Sequence, residues 1–224
     1  MSGIVYILFF IPPVLVGFAA QQWLKRTVAE QLQASTSSGL SGAQVARELL
    51  DRNGLHAVPV ERAPGGPLSD HYDPRKRALY LSAPVYDGRS VASAAIAAHE
   101  AGHALQHAKA YKPLEVRSAL FPVVAFASNT WTLLLLIGLT MQATGLIAFA
   151  AIVYAAVVVF QLVTLPVEFD ASRRALAQLS SQGIVTADEQ PGARRVLTAA
   201  AVTYVVAALA ALTYLLFLIL RSRS

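Results

Sequence analysis

The sequence contains no cysteine, little charge and, over long stretches, no charged residue at all. The absence of cysteine excludes disulfide bonds, which is compatible with a cytosolic location of the polar segments. Charged residues make up 14% of the chain, whereas soluble domains usually contain about 25%. Basic residues form no stripe with interleaved aromatics, so the net charge of +5 gives no support for nucleic-acid binding. Much of the surface must therefore face something other than water.

Long apolar stretches indicate where the chain meets a bilayer. One extends over 4–20, and the region 119–167 contains no Lys, Arg, Asp or Glu. Because 119–167 has about twice the roughly 20 residues that one spanning helix needs, we predict two helices there, joined by a turn at 142–145. The stretch 196–220 also lacks charged residues. The sequence therefore predicts an α-helical membrane protein with four transmembrane helices.

The first apolar stretch has an alternative interpretation as a cleaved signal peptide. Residues 1–3 contain no Lys or Arg, however, and the apolar core is longer than the roughly 7–15 residues found in most signal peptides. We therefore predict that residues 1–23 form an uncleaved transmembrane anchor.

The basic residues predict the orientation in the membrane. If all four helices cross, the polar segments lie on one side and both termini on the other. The polar segments have nine basic residues near the membrane, which are Lys25, Arg26, Lys109, Lys112, Arg117, Arg173, Arg174, Arg194 and Arg195. The other side has Arg221 and Arg223 only. This excess favours a cytoplasmic location for the polar segments.

The predicted organisation follows from these boundaries. It comprises a transmembrane helix (1–23), a cytoplasmic metallopeptidase domain (24–118), a transmembrane hairpin (119–167), a cytoplasmic helix (168–195) and a fourth transmembrane helix (196–220).

Local signals within 24–118 predict a small α/β domain that depends on the membrane helices for part of its core. Ser41 and Gln44 have the spacing of a capping box at the start of a helix. The stretches 56–61 and 77–81 have strand character, with turn signals between them. We expect a zincin-like domain with a β-hairpin or edge strand and a motif-bearing helix.

The most informative pattern is His-Glu-Ala-Gly-His at 99–103, within a helix predicted over 90–110. Residues four apart lie one turn above each other, so His99 and His103 can direct their imidazoles at one metal ion. Glu100 starts on an adjacent face, from which it can reach a water molecule on the metal. The pattern therefore predicts one zinc ion per chain and Glu100 as the general base of peptide hydrolysis.

A third ligand must come from elsewhere in the chain. His107 continues the four-residue spacing, but along a helix it lies about 12 Å from His99, too far for one zinc ion with bonds of about 2.1 Å. Glu168 is the predicted ligand, because a carboxylate at the end of an apolar run is costly unless something binds it. Asp170 is the alternative, although Arg174 offers it an ordinary helix-surface ion pair. Asp170 is also a candidate for orienting a ligating histidine from outside the ligand shell.

The segment 69–75 is a second polar cluster. Its residues are typical of a polar turn between two strands. In the functional alternative, His71 or Tyr72 lies near the metal and donates a hydrogen bond to the oxyanion of the tetrahedral intermediate. An adjacent edge strand could also pair with an extended peptide substrate. The sequence leaves these alternatives open.

Three blocks of the sequence resemble a known family. LSDHYDPR at 68–75, AAHEAGHA at 97–104 and LPVEFDAS at 165–172 together resemble the bacterial membrane zinc metallopeptidases of the YugP type. The resemblance extends over nearly the whole chain and implies a neutral zinc metallopeptidase in the bacterial inner membrane. The arrangement is also similar to that of HtpX and related gluzincin-type peptidases, which implies damaged membrane proteins as substrates. Their ligand pattern is Glu-x-x-x-Asp, and Ser172 stands at the Asp position here.

Two other functions fit parts of the pattern. A membrane scaffold with a structural zinc ion would usually need four protein ligands, whereas three are apparent here and cysteine is absent. An intramembrane protease needs the motif inside a span, and the nearby Gln106, Lys109 and Lys112 argue against that. We therefore expect a membrane peptidase acting on peptides or membrane proteins at the cytoplasmic surface.

Overall fold

The computed structural model describes residues 3–223, without the side chains of residues 3–6 and 8. The chain is mostly helical and contains one small sheet. In chain order the elements are α1 (Gly3–Leu32), α2 (Gly42–Arg52), β1 (Val60–Arg62), β2 (His71–Asp73), β3 (Ala78–Leu81), α3 (Ala83–Tyr86), α4 (Val91–Ala108), α5 (Lys112–Thr140), α6 (Thr144–Ser181) and α7 (Gln190–Ser222).

Three of the described helices, α5, α6 and α7, are long and apolar enough to cross a membrane. Helix α1, which contains the first predicted span, is not among them when the described residues are considered. Part of that predicted span, namely residues 1 and 2 and the side chains of 3–6 and 8, lies outside the described residues. The structure therefore provides three candidate spans, and the fourth stays a prediction.

The chain divides into two compact units. The apolar unit comprises the residues up to Gln21, Val116–Pro166 and the residues from Val202 onward. The α/β unit comprises Gln22–Glu115 and Val167–Ala201. Helix α6 runs without interruption through Pro166 and so contributes residues to both units.

The apolar unit has its own small core and an apolar exterior. Ile147 and Leu218 are fully buried in that core, together with Phe217. Phe126 and Ile152, in contrast, are each 69% exposed. Large exposed apolar side chains of this kind are expected on a surface that contacts lipid rather than water.

The α/β unit contains a three-stranded sheet with the order β1-β3-β2. Strand β1 pairs in parallel with β3, and β2 pairs antiparallel to β3. Strand β3 confirms the strand predicted over 77–81, whereas the stretch predicted over 56–61 forms a strand only from Val60 to Arg62. The segment predicted as a polar turn contains strand β2, whose backbone pairs with β3. The sequence did not indicate this strand, because its residues are typical of turns.

Helix α2 packs one face into the core of this unit. The predicted capping box is confirmed, since the side chains of Ser41 and Gln44 each accept a hydrogen bond from the other's backbone N–H. Val45, Leu49 and Leu50 are then fully buried on one face of the helix. Helix α2 thus covers the alanine-rich helix that carries the motif.

Helix α4 occupies the centre of the α/β unit. The helix predicted over 90–110 is confirmed, and Ser90 caps it, because its Oγ accepts a hydrogen bond from the backbone N–H of Ser93. Fourteen of its 18 residues are buried, and its many alanines let neighbouring elements approach closely. A helix buried on nearly every side can contain polar residues only if these find partners.

Candidate metal centre

Two histidines of α4 and one glutamate of α6 bring three ligand atoms together. His99 Nε2 lies 3.2 Å from Glu168 Oε2, and His103 Nε2 lies 3.6 Å from the same oxygen. All three ligand atoms lie within 4.8 Å of one another. In a tetrahedral zinc site with bonds of about 2.1 Å, ligand atoms are about 3.4 Å apart. The donor set and its spacing therefore fit a zinc ion.

The centre is shielded from water and favours positive charge. His103 is 7% exposed and Glu168 is 1% exposed, and a buried carboxylate is costly unless charge or hydrogen bonds compensate. Burial alone lowers the pKa of His103, but its hydrogen bond with Glu168 and the charge of that carboxylate outweigh this effect and raise the pKa of His103 above its usual value. A cation bound between these side chains would experience the same attraction.

A close approach of α4 and α6 sets the distance between the ligands. A Cβ atom at Gly102 would lie 2.8 Å from the backbone oxygen of Ala171. Glycine is needed here because any side chain would push the backbone of α6 away. Ala171 follows Glu168 by three residues, so this close contact lies next to the part of α6 that carries Glu168.

Each histidine has a second partner on its other ring nitrogen. Ser172 Oγ lies 3.2 Å from His99 Nδ1, and Gln106 Oε1 lies 3.0 Å from His103 Nδ1. Contacts of this kind orient the imidazole rings and select their tautomer. Neither contact was predicted from the sequence. The available signals were the position of Ser172 four residues after Glu168 and that of Gln106 three residues after His103.

Asp170 lies outside the group of ligand atoms. Its two carboxylate oxygens accept hydrogen bonds from Arg173 and Arg174, and Oδ2 also accepts one from Gln106 Nε2 at 3.0 Å. The predicted ion pair with Arg174 is therefore confirmed. Glu168, rather than Asp170, supplies the carboxylate oxygen near the two histidines. Asp170 reaches His103 only through Gln106.

Glu100 lies next to the centre but makes none of these contacts. It is 8% exposed, and its carboxylate forms no hydrogen bond or ion pair with any residue that the structure describes. Its position one residue after His99 places it on the adjacent face of α4. A carboxylate without a structural partner beside a candidate metal centre is chemically available to exchange a proton.

The segment 69–75 is stabilised largely by its own backbone. Asp73 accepts hydrogen bonds from the backbone N–H groups of Arg75 and Lys76, as in a polar turn. His71 is exposed, lies with its Nδ1 2.8 Å from the carbonyl oxygen of Ser69, and stacks on Tyr80 at 4.9 Å between ring centroids. None of these partners belongs to the metal centre, and the catalytic role of His71 stays a prediction.

Tyr72 is the residue of this segment that contacts the motif helix. Its hydroxyl oxygen lies 2.9 Å from Nδ1 of His107. Burial raises the pKa of Tyr72, so the hydroxyl retains its proton in neutral solution. His107 is not part of the group of ligand atoms, as its distance from His99 predicts. It follows His103 by one turn of α4, so the contact fastens β2 beside the metal-binding part of the helix.

These features define a helical protein with apolar, membrane-length helices and a candidate zinc centre. The chain belongs to the family described as "Putative neutral zinc metallopeptidase", whose pattern it matches over residues 6–223. It is also 47% identical to the "Putative membrane protease YugP" of Bacillus subtilis (strain 168) over 201 residues, covering 90% of this chain and 89% of that protein. The predicted resemblance is therefore confirmed. No solved structure matches this chain.

Proposed function

We propose that this protein is a zinc-dependent membrane peptidase that hydrolyses peptide bonds at the cytoplasmic surface of the bacterial inner membrane. The observation that carries this proposal is the largely buried group of His99, His103 and Glu168, beside which Glu100 has no hydrogen-bond or ion-pair partner among the described residues. The family and the relative in Bacillus subtilis support the same class of activity.

The proposed chemistry assigns a role to each of these residues. His99, His103 and Glu168 would hold the zinc ion. Zinc bound by three protein ligands supplies Lewis-acid activation of a water molecule and of the peptide carbonyl group. Glu100 accepts a proton when water attacks the carbonyl carbon and delivers that proton to the nitrogen of the leaving amine. In the part of the chain that the structure describes, no hydrogen bond or ion pair competes for the carboxylate of Glu100, which supports this assignment.

We assign the hydrogen bond to the developing oxyanion to Tyr72. Its contact with His107 fastens its hydroxyl to α4, whereas His71 is directed to Ser69 and Tyr80. Burial raises the pKa of Tyr72, so the hydroxyl is protonated, and it can donate to the oxyanion when it accepts a hydrogen bond from Nδ1–H of His107. The free edge of β2 is also available for pairing with an extended peptide.

We further propose that four helices cross the membrane and that the zincin-like α/β unit faces the cytoplasm. The three apolar helices and the excess of basic residues in the polar segments support this orientation. A site outside the apolar stretches suits peptides or unfolded membrane proteins, so membrane-protein processing or quality control is the proposed role.

The test is to measure zinc content and proteolysis with purified full-length protein and an unfolded membrane-protein substrate. We expect Glu100→Gln to retain zinc and to lose cleavage by about 10²–10⁴-fold, the usual contribution of a general base. Glu168→Ala should lose both zinc and cleavage. Glu115→Gln is the matched control, since Glu115 is an exposed carboxylate paired with Lys112 and should retain both.

Two results would contradict this assignment. Full zinc content in Glu168→Ala would place the third ligand elsewhere, and Asp170→Ala would be examined next. A wild-type protein that binds zinc without an exchangeable water position and cleaves nothing would support a non-catalytic membrane scaffold instead.

A further inference from the structure

We propose that Gln106 is a positioning residue that fixes the tautomer of His103, so that Nε2 rather than Nδ1 is presented to the metal. The inference rests on the proposed function, because it concerns the same zinc centre. Gln106 is completely buried and lies between the ligand-bearing parts of α4 and α6. A buried amide in this position must satisfy its hydrogen-bonding groups with protein partners.

The partners of Gln106 determine which way its amide points. Its Nε2 lies 2.8 Å from the backbone oxygen of Val167 and 3.0 Å from Oδ2 of Asp170. A backbone carbonyl oxygen can only accept. The oxygens of Asp170 also accept hydrogen bonds from Arg173 and Arg174, so Asp170 acts as an acceptor towards all of these groups. Both partners therefore require the NH₂ group of Gln106, and its oxygen is left to face His103.

This orientation leaves His103 one choice of tautomer. Gln106 Oε1 lies 3.0 Å from His103 Nδ1, and because an amide oxygen only accepts, Nδ1 must carry the proton and donate it. Because Nδ1 holds a proton, Nε2 is the nitrogen whose lone pair a metal ion can use. Nε2 is also the atom that lies 3.6 Å from Glu168 Oε2. The contact with Gln106 thus occupies Nδ1 with a proton and leaves Nε2 as the nitrogen available to a metal ion.

The other histidine ligand is not constrained in this way. His99 Nδ1 faces Ser172 Oγ at 3.2 Å, and a hydroxyl group can donate or accept. Ser172 is therefore compatible with either tautomer of His99. The protonation of Nδ1 is therefore constrained in His103 but not in His99. Because of this difference, we expect Gln106 to contribute more to zinc affinity than Ser172.

The experiment compares Gln106→Met, Gln106→Glu, Ser172→Ala and wild type as full-length protein in detergent micelles. Zinc affinity is measured by competition with a chelator, and the histidine tautomers are measured by long-range ¹H–¹⁵N NMR with and without zinc. Gln182→Met is the control, because Gln182 is a half-buried glutamine that hydrogen-bonds to Gln178. Thermal unfolding of every variant separates loss of the site from loss of the fold.

We expect Gln106→Met to weaken zinc binding by about 10- to 100-fold, as is typical when a ligating histidine loses its outer partner. The Nδ1–H signal of His103 should then be lost or mixed. Gln106→Glu retains an oxygen that faces Nδ1 of His103, and its protonated carboxyl group can donate a hydrogen bond to α6. We therefore expect its zinc affinity to stay close to that of wild type, which tests the proposal even if Gln106→Met folds poorly. The zinc affinity of Gln182→Met should equal that of wild type. The zinc affinity of Ser172→Ala should lie between those of wild type and Gln106→Met.

The inference would be overturned if wild-type His103 bound zinc through Nδ1, or if Gln106→Met kept both the wild-type affinity and the Nδ1–H tautomer. Either result would leave the zinc centre itself intact. A wild-type protein that binds no zinc would contradict the proposed function instead. The spectrum of the zinc-free protein would still show whether Nδ1 of His103 carries a proton, so the two failures are distinguishable.

Discussion

Two polar regions of the α/β unit, the centre between α4 and α6 and the segment 69–75, both combine histidines with carboxylates but are stabilised in different ways. Glu168 is buried and His99 is partly buried, and they come together although they lie 69 positions apart in the chain. In the segment 69–75, His71 and Asp73 are satisfied by backbone groups two or three residues away. Polar residues with distant, buried partners are costly to assemble and therefore indicate a site, whereas local partners indicate a turn.

Two residues of the segment depart from this local pattern. Asp70 accepts hydrogen bonds from the backbone N–H and the hydroxyl of Ser82, which ties the segment to the end of β3. Tyr72 reaches His107, 35 positions further along the chain. The contact of Asp70 joins the segment to the residue that follows β3, and the contact of Tyr72 joins it to the motif helix α4. His71 and its neighbour Tyr72 therefore differ, because only Tyr72 of these two forms a hydrogen bond to the motif helix.

The broadest effect, on stability and on zinc binding together, should come from changing the close contact between α4 and α6. Gly102→Ala would place a methyl group 2.8 Å from the backbone oxygen of Ala171, and overpacking of this kind costs about 1–3 kcal/mol of unfolding free energy. Because α6 must move, zinc affinity should fall as well. Thermal unfolding and chelator competition measure both quantities.

Gly17→Ala is the matched control, because a Cβ at Gly17 meets no atom within 4 Å. We expect it to leave zinc affinity unchanged. Normal stability and zinc affinity in Gly102→Ala would show that the approach of the two helices does not position Glu168.

An intermediate effect is expected from Tyr72→Phe, which removes the hydroxyl that contacts His107. Loss of one donor to an oxyanion usually reduces kcat by about 10²–10³-fold. Zinc affinity should be unchanged, because Tyr72 contacts no ligand atom of the group. Steady-state cleavage assays with kcat and KM determined separately check this expectation.

Tyr80→Phe provides the comparison, since Tyr80 stacks on His71 in the same sheet. A loss of kcat in Tyr80→Phe equal to that in Tyr72→Phe would indicate damage to the sheet and not loss of a donor. Full activity in Tyr72→Phe would remove Tyr72 from the proposed mechanism.

The smallest effect should come from His71→Ala. His71 is exposed and its contacts are with Ser69 and Tyr80, so cleavage should stay within about twofold of wild type, as is usual for surface substitutions. The same cleavage assay is sufficient. A loss of about 100-fold or more would return the oxyanion role to His71 and would weaken the distinction between the two polar regions.

Local signals predicted the elements whose stabilising contacts are local. The capping box of Ser41 and Gln44 was recognisable because its partners are three residues apart. Strand β2 was not, because its stability comes from pairing with β3 and its residues favour turns. The apolar stretches within α5, α6 and α7 were recognisable by their length and composition. The helices extend beyond these stretches into polar sequence, so hydropathy did not predict where they begin and end.

The sequence by itself determined that His99 and His103 share a helix face, because a spacing of four residues has that consequence in any α-helix. It also determined the membrane character of the chain, since long uncharged stretches cannot be solvated otherwise. The sequence favoured Glu168 over Asp170 as the partner of the histidines, and the tertiary structure brings Glu168 to them. The tertiary structure alone decided that Gln106 and Ser172 face the second nitrogens of the histidines and that Tyr72 contacts the motif helix. These contacts depend on how closely α4, α6 and β2 approach, and that distance is set by packing between residues far apart in the chain.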